Sequence, residues 1–231
     1  MISWGMMFIP LEQSKGKEFA CRYRPIIYQR FEDVRDLITP IHLGRHIPNL
    51  KPVAYYSCKT DGTWLAINYH FFHRHDWSKG KFGGILRDKL DTHEFDFEGC
   101  CILIRLPIKD EWSRPRHLIT QFHSELIHVH LPEGDEGRVY LDIEAQGHGI
   151  EPEYDDDPRK GNIISYYDYK LVNMDSPRFL EWWPKLEKTF NKYGVDMPTQ
   201  VNHWPIRRHE GKSTDGLIYT DPVKLLKSMG V

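Results

Sequence analysis

The chain lacks the features that mark several large protein classes. No apolar run in its 231 residues approaches the roughly 20 that a membrane-spanning helix needs. Charge of one sign is missing too: 31 Lys and Arg stand against 33 Asp and Glu, a formal net charge of −2. A general nucleic-acid binder or a polybasic membrane-surface protein would carry a basic stripe, so neither is expected. Cysteine is scarce, at 4 residues. Cys100 and Cys101 are adjacent within an apolar run, which suits neither a disulfide framework nor a Cys-x-x-Cys zinc or redox motif. Reduced thiols point to a cytoplasmic protein. The opening Met1–Pro10 is apolar but has no basic start and no small-residue cleavage site, so no secretory leader is expected. Also missing are a Gly-x-Ser-x-Gly elbow, a phosphate loop, a dinucleotide fingerprint and a His-Glu-x-x-His helix. Any hydrolysis would have to be metal-assisted, with His148 or His73 moving the proton.

What is present is material for a core: 40% hydrophobic residues and 13% aromatics. With no repeat and no low-complexity linker, one domain over residues 1–231 is expected. Short β-type runs dominate. Cys21–Gln29 reads as a strand interrupted by Pro25. Pro52–Cys58 and Trp64–Phe72 flank Asp61-Gly62, a hairpin signal. Gly99–Leu106 is a continuous apolar run, as for a strand buried on both faces. His117–His123, Leu126–Leu131, Val139–Ala145 and Ile163–Tyr169 add four more. Helix signals are Pro177–Asn191, with Ser176 as cap and a stripe of Leu180, Trp183, Leu186 and Phe190, then Pro222–Lys227, and one or two turns over Phe31–Leu37. The sum is a mainly-β, single-domain antiparallel β-sandwich, jelly-roll-like, with two or three peripheral helices.

Histidine is the unusual count, at 13. Two segments concentrate it with carboxylates: Asn68–Trp77, which includes His73-Arg74-His75-Asp76-Trp77, and Thr92–Gly99, which reads Thr-His-Glu-Phe-Asp-Phe-Glu-Gly. On a strand Asp96 and Glu98 share a face. Two neighbouring carboxylates repel one another and lose hydration on burial, so they need a cation, a basic partner or a shared proton. His93 is of the other parity and joins them only if the chain turns just before Asp96. A salt-bridged cap by Arg74 or Lys81 is the competing reading, and spacing alone leaves both open.

His93-Glu94-Phe95-Asp96-Phe97-Glu98-Gly99 resembles the Gly-His-Arg-His-Asp-Trp-Glu signature of the Nep1-like (necrosis- and ethylene-inducing) proteins, and equally the His-x-x-Asp-Trp-Glu core of VPS62-like (vacuolar protein sorting 62) β-sandwich proteins. His73–Trp77 is a competing literal match, but Ser78 stands where the signature has glutamate. Tyr23-Arg24-Pro25 with the apolar strand after it, and Val139–Pro152 with its Gly147-His148 turn, resemble further pieces of the VPS62-like pattern. The resemblance spans roughly residues 21 to 170. It implies a sandwich holding one divalent cation in a shallow acidic pocket, with Asp76, His93, Asp96 and Glu98 as ligands. Three carboxylates and one imidazole favour magnesium or calcium, with manganese or zinc as alternatives. In the Nep1-like toxins such a metal helps engage a sugar headgroup of a plant sphingolipid. The absence of a leader and of extracellular-type cysteines makes a secreted plant cytolysin an unexpected role for this chain.

His148, between two glycines, is expected at the pocket rim as a proton carrier or ligand contact, with His75 and Trp77 as further ligand-binding candidates. His123, His128 and His130 read either as a metal-binding pair with a neighbour or as a hydrated sheet face. Asp155-Asp156-Asp157 lacks the rest of a calcium loop and reads as solvated. Trp182, Trp183 and Trp204 offer a sugar-stacking platform, although Trp183 falls on a core stripe. Three functions follow: a metal-dependent module for a glycan, lipid headgroup or small polar ligand; a metal-dependent hydrolase of a polar ester, phosphodiester or glycoside; and a scaffold with a salt-bridged polar cluster. The binding module ranks first, because no nucleophile or general-base pair accompanies the expected ligands.

Overall fold

The computed structural model describes residues 8–40, 51–76, 93–107, 114–122, 125–131, 138–152, 162–182, 185, 208–209, 212–213 and 221–231. Two sheets dominate them. The larger is built on β3 (Val53–Thr60), β4 (Trp64–Asp76), β5 (His93–Arg105), β6 (Pro115–Phe122) and β7 (Glu125–His130), antiparallel and in sequence order. On the outer edge of β3 lie β1 (Ile9–Pro10), antiparallel, and β11 (Lys170–Asn173), parallel. Beyond β7 come β12 (Arg208–His209) and β13 (Lys212–Ser213). The smaller sheet runs β10 (Asn162–Tyr166), β2 (Ile26–Phe31), β8 (Tyr140–Ile143), β9 (Ile150–Glu151), with β2 and β8 parallel.

The central apolar run explains the layering. Within β5, Cys100, Ile102 and Ile104 join Ile67, Tyr69 and Phe71 of β4 against Ile27, Leu141, Ile143 and Ile150 of the smaller sheet. The alternate positions Cys101 and Leu103 pack, with Tyr55 and Ile119, against Phe179, Leu225 and Leu226. The last two belong to the helix Pro222–Ser228, whose first turn is capped by Asp221 Oδ1 accepting from Lys224 N at 2.9 Å. Both faces of β5 are therefore buried, which is why its sequence is apolar without alternation. The β-sandwich expectation holds, with a helical layer on the outer face of the larger sheet.

Several boundaries move. The strand expected over Cys21–Gln29 begins at Ile26, as β2, because Gln13–Arg22 is a helix (α1) whose buried residues are Gly16 and Ala20. A buried stripe of such small residues leaves no apolar periodicity to read. Phe31–Leu37 contributes only a 3-10 turn at Val34–Asp36. The Ile163–Tyr169 run is split: β10 ends at Tyr166, and after Tyr169 the chain joins the other sheet as β11. Tyr169 is 2% exposed and donates its hydroxyl to Pro25 O at 2.9 Å, tying the crossover to the start of β2. The helix after Ser176 (α2) covers residues 177–182, and 185 is also helical; the remainder of 177–191 lies outside the described residues. The Asp61-Gly62 hairpin is present, with Gly62 at φ 86° as such a turn requires. Cys58, Cys100 and Cys101 are buried free thiols and Cys21 is an exposed one. Burial pushes the Cys58 thiol up to about 12, aided by the nearby Asp175 carboxylate. Among the described residues no helix is long and apolar enough to cross a membrane.

Candidate functional site

One end of the sandwich gathers polar side chains in its interior. The 3-10 turn after β2 delivers Asp36, which is fully buried. Its Oδ2 accepts from the backbone N–H of Glu32 at 2.8 Å and of Asp33 at 3.1 Å, and its Oδ1 from that of Gln146 at 2.9 Å. His148 Nε2 stands 3.6 Å from Oδ1, an electrostatic contact longer than a hydrogen bond. Burial by itself raises the Asp36 pKa. The proximity of His148 and the three N–H donors more than offset that, holding the carboxyl at about 2.

The residues around Asp36 are fixed from both sheets. Thr39 N donates to Phe72 O at 2.8 Å, and Ile38 bridges His73, fastening the segment to β4. His73 Nδ1 lies 2.9 Å from the Asp36 carbonyl oxygen. A carbonyl only accepts, so Nδ1 carries the hydrogen, and in the neutral ring Nε2 keeps the lone pair. The His73 and His148 rings stack at 3.9 Å and 10°. The turn that carries His148 holds two non-glycine residues in the left-handed region, Gln146 at φ 74° and His148 at φ 55°. Each costs about 1–3 kcal/mol.

Gln146 also lines a cavity of about 340 Å³ together with Arg30, Glu32, Asp142, Glu144, Ala145 and Glu151. Its floor is the Arg30–Asp142 ion pair, each partner 2% exposed. Arg30 Nε donates to Asp142 Oδ1 at 2.9 Å and Nη2 to Oδ2 at 2.6 Å, a two-pronged pairing. On β2 and β8 these residues alternate with the core residues Ile27, Leu141 and Ile143. They thus belong to the face of the smaller sheet turned away from the larger one. With Glu32, Glu144 and Glu151 at its walls the cavity is acidic.

The sequence-predicted ligands are placed as follows. The β4–β5 ladder sets Asp76 opposite His93, His73 opposite Asp96 and Phe71 opposite Glu98. The ladder runs without a register shift, so the four fall into two sets of opposite parity. Glu98 is 3% exposed, two residue pairs along the ladder from His73. The side chains of Asp76, His93 and Asp96 lie outside the described residues, as do those of Arg74, His75, Trp77 and Lys81. Among the described residues no three His, Cys, Asp or Glu side chains gather closely enough to hold a metal ion. His148 is fully buried rather than at a rim. Asp36, Arg30, Asp142 and Glu151 escape sequence reading because each is an isolated polar residue whose partner comes from another strand or turn.

Among the described residues, three further histidines sit elsewhere. His128 and His130 are joined by His117 of β6, whose Nδ1 is 3.1 Å from His128 Nε2. Burial, then the neighbouring His128, His130 and Arg116, pull His117 down to about 4. His123, Asp155–Asp157, Trp183 and Trp204 lie outside the described residues. Trp182 packs edge-on to Phe179 at 5.6 Å.

No protein-family model and no curated protein sequence matches the chain. Among solved structures it is similar to a non-toxic HaNLP3 protein, with 14% identity and TM-score 0.47 over 71% of this chain and 76% of that one. It is similar to Necrosis and Ethylene inducing Protein 2 from the causal agent of cocoa's witches' broom disease, with 14% identity and TM-score 0.46 over 75% and 80%. It is also similar to NLPPya, solved in complex with glucosamine, with 14% identity and TM-score 0.44 over 75% and 81%. These are distant likenesses of fold, to the family that the His93–Gly99 segment resembles.

Asp36 has a pH signature. Its pKa falls from an ordinary 3.8 to about 2 on folding, so the stability it contributes is complete above pH 4 and is lost as pH falls through that interval. The shift corresponds to about 2 kcal/mol. Asp36→Asn should lower the unfolding free energy at pH 7 by about that amount and flatten the acid limb between pH 4 and 2. Urea unfolding across pH 2–7 checks it; parallel curves for the two proteins would show that Asp36 is not held ionised.

Proposed function

We propose that the chain is a non-catalytic binding protein whose acidic sandwich end recognises a polyhydroxylated headgroup of the glycan type, with a divalent cation held at the β4–β5 end. The observation that carries the reading is the cavity lined by Glu32, Asp142, Glu144 and Glu151, backed by the strained Gln146–His148 turn. Carboxylates accept hydrogen bonds from vicinal hydroxyls without a donor of their own, a pairing suited to sugars. Left-handed non-glycine residues persist only where the surroundings over-determine them, and they concentrate at ligand-binding turns.

The cation part of the proposal rests on the donor set. Glu98 is a carboxylate buried at 3% exposure, and Asp96 lies opposite His73 in the ladder. Asp96 and Glu98 share one face of β5 and would supply hard oxygen donors, chemistry that suits magnesium or calcium, with manganese or zinc as alternatives; Asp76 and His93, paired on the opposite face, would join them only where the ladder ends. A bound cation would neutralise the carboxylates and offer open positions to ligand hydroxyls. Binding is favoured over hydrolysis because His73 and His148 are fully buried, whereas a general acid or base must reach the proton it moves.

Metal content measured by mass spectrometry, beside thermal unfolding with and without chelator, tests the cation. One divalent ion per chain is expected, absent from the Asp96→Asn/Glu98→Gln double variant. Free metal at about 100 times its Kd should stabilise the wild type by about 2.7 kcal/mol. No ion and no chelator effect would leave the cation out of the mechanism. A glycan array then tests the headgroup: loss of a wild-type signal in Glu144→Gln/Glu151→Gln is expected, and an unchanged signal would move the binding site away from this cavity.

A further inference from the structure

A second cavity, sharing no lining residue with the acidic one, lies on the outer face of the larger sheet. It is a cleft of about 620 Å³ between the β3–β11 edge and α2, within the size range of small-molecule sites. The parallel register sets Lys170 beside Val53 and Val172 beside Tyr55. From the helix come Arg178, Phe179 and Trp182. Tyr55, Phe179 and Trp182 pack on one another, at 6.0 Å and 5.6 Å between ring centroids, with Tyr55 and Phe179 buried at the base and Trp182 half-buried above them.

Charge and hydrogen-bonding capacity restrict the occupant. Lys170 and Arg178 are exposed, and among the described residues neither side chain has an ion-pair or hydrogen-bond partner. The nearby carboxylate of Asp168 is already held by Arg24 and Lys51. The Ser176 hydroxyl is committed, donating to Asn173 O at 2.8 Å and accepting from Phe179 N at 3.3 Å. A sugar would bring many hydroxyls to a wall of Val53, Leu171, Val172 and Phe179 that cannot satisfy them. A flat apolar body with one anionic end meets the aromatic lining and the two cations together.

We propose that this cleft is a binding site for a small amphiphilic carboxylate whose apolar body is a flat ring, laid against half-buried Trp182 and Val172 above the buried Tyr55 and Phe179, with its carboxylate between Lys170 and Arg178. The site is independent of the glycan reading and of any metal. Titration calorimetry with 2-naphthoate tests it on the full chain, with neutral 2-naphthylmethanol and polar glucuronate as comparison ligands. Saturable binding of naphthoate is expected, unaffected by chelator, with both comparison ligands at least about tenfold weaker. Lys170→Gln/Arg178→Gln should weaken naphthoate about tenfold or more while leaving the melting temperature unchanged, since both residues are exposed. Trp182→Ala should weaken naphthoate and naphthylmethanol alike. No saturable binding of naphthoate, an affinity unchanged in the double variant, or glucuronate binding as tightly as naphthoate would each overturn the proposal.

Discussion

Asp142→Ala is expected to cost about 3–5 kcal/mol of folding stability, the largest single-residue effect among those considered. The carboxylate is 2% exposed and faces a guanidinium that is also 2% exposed, with Arg30 Nε and Nη2 both donating to it. Removing the acid leaves a permanently charged group buried with its designed acceptor gone, and arginine cannot escape by losing its proton. The cost is mainly that of the stranded cation rather than the worth of the pair itself. The double variant Arg30→Met/Asp142→Leu, which keeps the volume and removes both charges, should therefore be more stable than Asp142→Ala alone. Urea unfolding of wild type, single and double variants completes the comparison. A loss below about 1 kcal/mol in Asp142→Ala would mean that water reaches Arg30 as readily as a surface residue.

Gly99→Ala should be destabilising by on the order of 3 kcal/mol, against the usual sense of such a change. Glycine inside a strand costs conformational entropy, and alanine normally recovers about 0.5–1 kcal/mol of it. Here an added Cβ would lie 2.6 Å from the Tyr69 carbonyl oxygen and 2.8 Å from His70 Cε1. Both belong to the neighbouring strand β4, and His70 is itself fully buried, so neither can retreat without opening the β4–β5 ladder. His70→Ala in the Gly99→Ala background should recover only part of the loss, because the backbone oxygen remains. Gly16→Ala in α1 serves as the internal comparison. There the nearest contact is Cys58 Cβ at 3.4 Å, and a gain of up to about 1 kcal/mol is expected. Thermal and urea unfolding of the variants decide it; a stabilising Gly99→Ala would show that the two strands are further apart at this point than described.

The sandwich was legible because its signals are local. Asp61-Gly62 specifies a hairpin whatever surrounds it, and the unbroken apolarity of Gly99–Leu106 announces a strand covered on both faces. Cys100 and Cys101 show the consequence, packing into opposite layers from adjacent positions. Helix α1 was illegible for an equally physical reason: glycine and alanine on its buried side carry no hydrophobic signature. The β10–β11 boundary was hidden because Ile163–Tyr169 reads as one run, while the docking of Tyr169 on Pro25 O redirects the chain.

The functional surfaces divide in the same way. From the sequence came the acidic, histidine-bearing character of the segments around His73, Asp96, Glu98 and His148, since residue type and strand parity are properties of the chain alone. Tertiary structure decided that Asp36, 37 residues from His73 along the chain and 110 from Gln146, is the acceptor on which both elements converge. It also decided that Arg30 and Asp142 form the floor of one cavity, and that Lys170 and Arg178 flank the aromatic wall of another. Buried polar groups are stable only when partnered. Here the partners arrive from sequence-distant strands of the same sheet, as for Arg30 and Asp142, or from the other sheet and the turns, as for Asp36, so no local pattern records which pairs will meet.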